Sequence, residues 1–427
     1  MVFDKIEEIS GYYVVEGPLK VKVLNGEAEI TGRKLKPGEE AIVPLAKATL
    51  VESPSKAEVQ LRGSGKVTKL ESSTIPSEWK EVLDSLTDEI RTVFIVGSID
   101  SGKTFFTTYL ANKLLERGLK VSVVDCDVGQ SDIGPPTTIG LGTLNNQVTF
   151  LDEVGLVSAY FIGSTSPAGH LLPMVVGTTK LVEEGKKSSD LVLVDTPGMV
   201  FGGPARAYQQ YAIEALNPSL IIALQKSDEL KHLITQFKAL SYEVLELPSS
   251  KWVKQRDRSD RKVLRERAFS NYFSKKGISR KSIELNGVSL VGSFLGSGSE
   301  ASRETVRIVE SMIGCRVDYC EISRDSIIAI SSRRIDKASY QRIREAFSDK
   351  IVKILARGFE KGIVVGLLGD KGRFLDIGVM EKLDLKAKKV TISTPLEEID
   401  RVKAVKMGCI RLDDEYHEIE RLEPGYI

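Results

Sequence analysis

The chain has few of the residues that build disulfide frameworks or zinc centres. Its 427 residues include four cysteines, none of them in a CxxC pair, and three histidines scattered along the sequence. Disulfide frameworks and zinc sites need several such residues at close and regular spacing, so the sequence predicts neither. Cysteines this sparse are typical of reduced residues in the cytosol, and we expect a cytoplasmic protein.

Long apolar runs and a strong net charge are also missing. No segment approaches the ~20 consecutive apolar residues of a membrane span, and the first residues form no apolar signal core. We therefore expect neither a leader nor a membrane partner. The formal net charge of +1 excludes a global field that would draw the whole chain to nucleic acid, so any basic surface is local. A hydrophobic content of 41% is ample for roughly two or three domains.

The pattern of apolar residues divides the sequence into three parts. Residues 1–75 alternate apolar and polar positions around Asn25-Gly26, which is the strongest local hairpin signal and predicts an all-β domain. From Thr92, continuous apolar runs alternate with helix-length segments, as in a parallel sheet covered on both faces. We therefore predict an α/β domain at residues 76–276, followed by a mainly β domain at residues 277–427.

A phosphate-binding loop follows the first buried run of the central domain. Residues 97–104 read GSIDSGKT and satisfy GxxxxGK[ST], the Walker A or P-loop pattern, between a strand and a helix. Its glycines let backbone N–H groups converge on a β-phosphate at the helix N-terminus. We expect Lys103 to bridge the β- and γ-phosphates and Thr104 to bind Mg²⁺. The predicted nucleotide-binding residues are Gly97, Ser98, Ile99, Asp100, Ser101, Gly102, Lys103, Thr104 and Phe105.

Two further buried runs end in aspartates. One leads into DCDVGQ at residues 125–130 and the other into DTPG at residues 195–198. Because the carboxyl ends of parallel strands meet at one edge of a sheet, we expect Asp125, Asp127 and Asp195 to face the γ-phosphate. At least one of the three is expected to cap the next element instead. With Thr104, we predict Asp125 and Asp195 as the Mg²⁺ ligands.

A basic segment ends the central domain. From Lys251 to Lys281 there are twelve basic and three acidic residues, an excess of nine positive charges. Such a run is most often a solvated helix face. Behind a phosphate-binding domain it also has two functional interpretations, arginines that close over the triphosphate and a local field for a polyanionic substrate. We favour both, with Arg256 and Arg261 as the closing arginines.

The order of these motifs resembles the RNA 5′-hydroxyl kinases. The motifs are GSIDSGKT, DCDVGQ, GSTSP at residues 163–167, DTPG, and RDRSDR at residues 256–261. This family includes archaeal polyribonucleotide kinases and relatives in eukaryotic pre-mRNA 3′-end processing, tRNA splicing and ribosomal RNA processing. A P-loop combined with D-x-D-x-G-Q is much more specific than a P-loop alone.

The resemblance implies both a fold and a reaction. The fold is a central P-loop NTPase domain with a parallel sheet, flanked by an N-terminal all-β and a C-terminal mainly β domain. The reaction is transfer of the γ-phosphate of ATP, or of another NTP, with Mg²⁺ to the 5′-hydroxyl of RNA. Single-stranded and duplex RNA, DNA, and protein partners in RNA processing all stay open.

The resemblance also implies the catalytic residues. Lys103, Arg256 and Arg261 would neutralise charge on the transferring phosphoryl group, and Asp127 would be the general base for the 5′-hydroxyl. Elementary chemistry agrees, because an alcohol nucleophile needs a carboxylate to take its proton. The metaphosphate-like transition state also needs cations around its equatorial oxygens.

Three residues are assigned to the acceptor by the same resemblance. Gln130 would lie beside it, and Thr165 would belong to a clasp for its terminal phosphate. Met199 stands where eukaryotic members have a tryptophan that stacks on the terminal base. A methionine lacks the aromatic surface that makes such stacking worth ~1–3 kcal/mol, so base stacking at this position stays open. Tyr208 and Trp252 are alternatives, although both are more typical of packing aromatics.

Two other functions fit parts of the sequence. DTPG and the QKSD at residues 225–228 resemble the DxxG and NKxD elements of a regulatory GTPase. However, Gln225 replaces the asparagine, and a GTPase needs neither D-x-D-x-G-Q nor the basic segment. The second alternative is an RNA-processing scaffold that binds ATP without turning it over. The complete set of catalytic residues argues against it.

Overall fold

The computed structural model describes residues 3–86, 89–252 and 258–425, and from 258 to 263 it describes the backbone alone. By compactness the chain groups into two units. The first contains residues 1–134, 138–160 and 171–261, and the second contains residues 135–137, 161–170 and 262–427. None of the described helices is long and apolar enough to cross a membrane.

The N-terminal part of the first unit is an antiparallel sheet, as the sequence predicts. Val21 and Val23 are buried while the lysines beside them are half-exposed. Gly26 has a φ of 80°, which the turn between the first two alternating segments requires. The strands are β1 (Phe3–Glu16), β2 (Leu19–Asn25), β3 (Ala28–Ile30), β4 (Arg33–Leu35), β5 (Glu40–Val43), β6 (Ala48–Gly63) and β7 (Lys66–Leu70).

The central sheet has seven strands in the order β11-β10-β9-β12-β8-β13-β14. They are β8 (Thr92–Gly97), β9 (Val121–Asp125), β10 (Thr138–Thr143), β11 (Leu156–Phe161), β12 (Leu191–Asp195), β13 (Leu220–Gln225) and β14 (Val244–Pro248). The helices that follow these strands or precede them are α1 (Ser77–Ser85), α2 (Lys103–Glu116), α3 (Leu171–Gly185), α4 (Gly203–Leu216), α5 (Lys231–Ala239) and α6 (Arg258–Lys276).

Five of these strands run parallel, and this confirms the predicted α/β fold with a parallel sheet. Strands β9, β12, β8, β13 and β14 are parallel, whereas β10 pairs antiparallel with β9. Strand β12 lies between β8 and β9, and its Asp195 is in register with Asp125 of β9. The P-loop and both aspartate motifs therefore start at one edge of the sheet.

The N-terminal sheet is tied to helix α2 within the first unit. Asn112 of α2 is fully buried. Its Nδ2 donates to the carbonyl oxygens of Thr31 (2.8 Å) and Val148 (2.7 Å), and its Oδ1 accepts from Val148 N (2.9 Å). Lys113 forms an ion pair with Glu29 at 2.7 Å. Because a buried amide without partners is costly, these contacts specify how the sheet docks on the helix that follows the P-loop.

The second unit contains two sheets and is mainly β, as predicted. One has the order β15-β23-β22-β21-β24-β16 with β25 added to β24, and the other has the order β17-β18-β19-β20. The strands are β15 (Ser279–Glu284), β16 (Ser289–Val291), β17 (Ser299–Glu300), β18 (Val317–Ile322), β19 (Ser326–Ser331), β20 (Ile351–Ala356), β21 (Ile363–Leu368), β22 (Phe374–Asp384), β23 (Lys389–Thr394), β24 (Ala404–Leu412) and β25 (Glu418–Arg421).

The second unit also has two helices that the sequence analysis did not identify, α7 (Arg303–Ile313) and α8 (Lys337–Ala346). Both begin with a side-chain cap, since Ser302 accepts from Thr305 N and Asp336 accepts from Ser339 N. Helix α7 ends at Gly314 with a φ of 66°, a left-handed cap. The helices cover one face of the smaller sheet, where Val309 and Ile343 are buried together with its strands.

Helix α6 carries much of the basic segment, and its C-terminal half packs in the second unit. Phe269 and Phe273 are buried in a cluster with residues of β21, β22 and β24. Tyr272 donates to Asp376 at 2.5 Å, and Lys276 donates to the same carboxylate at 3.2 Å. This part of the segment is therefore amphipathic, with one face in an apolar core and the other carrying its charges.

Candidate active site

The loop between β8 and α2 has the backbone of a phosphate cradle. Gly102 has a φ of 86° and Asp100 a φ of 54°, so the chain turns sharply before the first helical residue. A Cβ added at Gly97 would lie 2.5 Å from Ser101 Oγ and 2.8 Å from Leu224 O. Only glycine fits there. No side chain caps the N-terminus of α2. The first backbone N–H groups of the helix are therefore available to bind an anion.

Lys103 is buried inside this loop, with 8% of its surface exposed. Its Nζ donates to the carbonyl oxygens of Gly97 and Ser98, both at 2.9 Å. Burial lowers the pKa of Lys103, while the charges of Asp195 and Asp127 act in the opposite direction. The charges of both aspartate motifs therefore act on the ammonium group of Lys103.

Thr104 and Asp195 are joined across the sheet edge. Thr104 Oγ1 donates to Asp195 Oδ2 at 2.6 Å. The other oxygen, Asp195 Oδ1, is buried and has no hydrogen-bond partner among the residues that the structure describes. Burial raises the pKa of Asp195 to about 7, although Lys103 and Thr104 both act to lower it. A buried carboxylate oxygen without a partner is unusual and suits a ligand that arrives from outside the protein.

Asp125, also predicted as a Mg²⁺ ligand, uses both of its oxygens within its own loop. Oδ1 accepts from the backbone N of Asp127 at 3.0 Å. Oδ2 accepts from the backbone N of Asp132 at 2.6 Å and of Ile133 at 3.0 Å. Burial raises the pKa of Asp125, and the neighbouring Asp195 raises it further. The three backbone contacts make Asp125 the residue around which the loop 125–133 is folded.

Asp127 is half-buried in the same loop. Its Oδ1 accepts from the backbone N of Gly129 at 3.0 Å and of Gln130 at 3.2 Å. Its Oδ2 has no hydrogen-bond partner within residues 3–86, 89–252 and 258–425. One oxygen thus fixes the orientation of the carboxylate, and the other is available to an acceptor hydroxyl. Gln130 follows three residues later on the same turn.

The remaining predicted residues fall into two groups. Arg256 lies outside the described residues, as does the side chain of Arg261 in α6, so their predicted role stays a prediction. Thr165 belongs to the second unit. Its Oγ1 donates to Glu418 Oε2 at 3.2 Å, and Glu418 is paired with Arg421 at 2.5 Å.

The segment after DTPG presents an aromatic ring that the sequence analysis did not identify. Gly198 lies against the P-loop, since a Cβ there would be 2.7 Å from Ile99 Cγ1. Met199 is half-buried, whereas Phe201 is 63% exposed. The Phe201 ring stacks on His232, with centroids 5.8 Å apart and planes at 25°. Tyr208 is fully buried, which confirms its interpretation as a packing aromatic.

The segment that resembles a guanine-binding motif has its key side chain occupied. Gln225 Nε2 donates to Glu246 Oε2 at 3.1 Å, and Gln225 Oε1 accepts from Leu230 N at 3.2 Å. Both ends of the amide are therefore used within the protein. A guanine-reading side chain needs its amide free for the base, so this geometry does not favour the GTPase alternative.

A family model and individual relatives of known name both indicate the same family. Residues 97–275 match the family described as mRNA cleavage and polyadenylation factor CLP1 P-loop. The chain is 32% identical to the polyribonucleotide 5′-hydroxyl-kinase of Pyrococcus furiosus over 333 residues, 78% of this chain and 90% of that protein. Identity to the protein of the same name in Methanocaldococcus jannaschii is 30% over 362 residues, with coverage of 82% and 95%.

A solved structure shares the whole fold. Clp1p, in a complex with a segment of Pcf11p, superposes with a TM-score of 0.65 at 14% sequence identity, covering 96% of this chain and 98% of that one. The likeness confirms the predicted arrangement of a P-loop domain with β domains on both sides in the sequence.

Proposed function

The chain belongs to the family of archaeal polyribonucleotide 5′-hydroxyl-kinases, and on that premise we propose that it transfers the γ-phosphate of ATP to the 5′-hydroxyl of RNA. Other NTPs as donors and DNA as a second acceptor are part of the same proposal. So are protein partners in RNA processing, because the solved Clp1p structure is a complex with Pcf11p.

The observation that carries this proposal is the position of Asp127, which follows β9 at the same edge of the sheet as the P-loop lysine. Among the described residues Asp127 Oδ2 has no hydrogen-bond partner, and the charge of Asp127 acts to raise the pKa of Lys103. A general base must accept a proton from the attacking hydroxyl, and Lys103 must meet the phosphate that this hydroxyl attacks. A protein that only binds nucleotide has no need of a free carboxylate at that position.

The donor set at Thr104 and Asp195 fits Mg²⁺. Both offer oxygen, the ligand type that Mg²⁺ prefers, and Asp195 Oδ1 lacks a partner among the described residues. We propose that these two residues hold the ion, and that Asp125 shapes the loop instead of ligating metal, because its oxygens already accept three backbone N–H groups. When bound, Mg²⁺ would neutralise charge on the β- and γ-phosphates.

The direct test uses γ-labelled ATP, Mg²⁺ and an RNA oligonucleotide with a 5′-hydroxyl. We expect label on the oligonucleotide, and no labelling of the same oligonucleotide once its 5′ end carries a phosphate. Label found only as free phosphate, in a guanine-selective manner, would favour the GTPase. Bound nucleotide without any label transfer or release would favour the scaffold.

The exposed ring of Phe201 gives a prediction about the acceptor. We propose that it, and not Met199, stacks on the terminal base. Phe201→Ala should raise KM for a short RNA about ten-fold, since a stacked base contributes ~1–3 kcal/mol, with kcat little changed. Phe201→Tyr keeps an aromatic ring, so its KM for the same RNA should stay close to the wild-type value.

Met199→Ala is the matched comparison from the same loop. We expect it to change KM for RNA less than Phe201→Ala does. The opposite ranking in steady-state kinetics would return the base contact to Met199, the residue that the sequence predicts.

A further inference from the structure

Lys47 lies in the turn between β5 and β6 of the N-terminal sheet, and its backbone is held on both sides. Its N–H donates to Pro44 O at 3.1 Å, and its carbonyl accepts from Gly17 N at 3.0 Å. The side chain is 21% exposed. The backbone of Lys47 is therefore anchored at the end of the N-terminal sheet.

The ammonium group of Lys47 contacts two carboxylates of the central domain. Nζ is 2.9 Å from Asp132 Oδ1 and 2.9 Å from Asp152 Oδ2, and it lies 4.8 Å from the ring centroid of Phe150. Burial acts to lower the pKa of Lys47, but Asp132 and Asp152 together raise it above its ordinary value. The Asp132 side chain is 24% exposed, so its ion pair with Lys47 is partly shielded from water, whereas the Asp152 side chain is 41% exposed.

Asp132 connects this ion pair to the D-x-D motif. Its backbone N–H donates to Asp125 Oδ2 at 2.6 Å, the shortest of the three contacts that fold the loop 125–133. Asp125 Oδ1 in turn accepts from the backbone N of Asp127 at 3.0 Å. A continuous path of polar contacts thus runs from the N-terminal sheet to the backbone of Asp127. Asp152 lies in the short 3-10 helix Leu151–Glu153, and no direct contact among the described residues links its side chain to the loop 125–133.

We propose that Lys47 is a positioning residue for phosphoryl transfer. By holding Asp132, the N-terminal β domain fixes the loop that places Asp127 against the acceptor hydroxyl. The proposal rests on the proposed kinase function, and it gives the N-terminal domain a part in the reaction. Misplacing a catalytic group by about 1 Å from a distant substitution can reduce a rate roughly 100-fold, so a small shift of the loop is sufficient.

The test compares three variants in the RNA transfer assay. Lys47→Met and Asp132→Ala should each lower kcat/KM roughly 10- to 100-fold, and the double variant should be no worse than the more severe single one, because both remove the same link. Asp152→Ala is the matched control, since it removes the other partner of Lys47 and should change kcat/KM less than about three-fold. Equal losses for Asp132→Ala and Asp152→Ala, or additive losses in the double variant, would overturn the proposal.

Hydrogen exchange separates this inference from the proposed function. In Lys47→Met and Asp132→Ala, the amides of residues 127–133 should exchange at least ten-fold faster than in the wild type, whereas in Asp152→Ala they should not. Exchange reports local opening, and it needs no kinase activity. A wild type that transfers no label, with faster exchange in both variants, would refute the proposed function and leave the structural link from Lys47 to the loop 125–133 in place. Unchanged exchange in Lys47→Met would refute the positioning role alone.

Discussion

Lys103→Ala is expected to lower kcat/KM for RNA phosphorylation at least 10³-fold. The ammonium group is buried beneath the loop and reaches Gly97 O and Ser98 O. We expect the β- and γ-phosphates of the nucleotide to bind beside this ammonium group. Because a cation that stabilises the phosphoryl transition state is worth ~10³–10⁵ in rate, and because the same group contacts the bound nucleotide, both kcat and ATP affinity should fall.

The experiment needs a control for folding, since Lys103 is largely buried. Lys113→Ala removes a lysine from the last turn of the same helix, at the other end from the loop, where it pairs with Glu29 at 2.7 Å. We expect that variant to keep transfer within about three-fold. If Lys103→Ala retained even a tenth of the wild-type kcat/KM while remaining folded by circular dichroism, the P-loop could not be the phosphate site.

The phosphate loop and the sheet edge are the parts that the sequence predicts well. A strand, a glycine-rich turn and a helix N-terminus follow one another directly in the chain, so local pattern is sufficient to place Gly97, Gly102 and Lys103. The proximity of Asp125 and Asp195 follows from a general rule, that parallel strands end at one edge. The register of β9 and β12 confirms it.

The separate roles of the aspartates, metal binding or loop folding, could not be predicted in the same way. Whether a carboxylate binds metal or folds its own loop depends on the path of the backbone after the strand. Asp125 accepts from Asp132 N and Ile133 N, residues seven and eight positions later. No short motif encodes that path. The expectation that at least one aspartate caps the next element was general, and in the structure both Asp125 and Asp127 accept backbone N–H groups of the loop after β9.

Contacts between distant segments of the chain also could not be predicted from the sequence. Lys47 meets Asp132 across 85 positions, and Asn112 of α2 binds the carbonyl of Thr31 across 81. Both residues are polar, and a pattern of apolar residues would place them at solvent-exposed positions.

Phe201 is an exposed residue that the sequence would place in the core, because phenylalanine is usually buried. A signal was nevertheless present, since Gly202 and Gly203 follow it and mark a loop.

The most informative single substitution is Asp127→Asn, which is expected to lower kcat roughly 10²- to 10⁴-fold and leave ATP binding intact. An asparagine keeps the carbonyl oxygen that accepts from Gly129 N and Gln130 N, so the loop should stay folded. It removes the negative charge, and with it the capacity to take a proton from the 5′-hydroxyl. The measurement pairs single-turnover transfer to RNA with the Kd for ATP.

Asp190→Asn supplies the matched control. Asp190 lies directly before β12, at the opposite end of that strand from Asp195, and its carboxylate accepts from Lys120 N at 2.8 Å. The same chemical change there should leave transfer within about two-fold. Full transfer in Asp127→Asn would mean that no carboxylate in the D-x-D motif acts as the base, because Asp125 is already bonded through both oxygens. The hydroxyl would then lose its proton to the phosphate itself, and the free oxygen of Asp127 would orient the acceptor without accepting a proton.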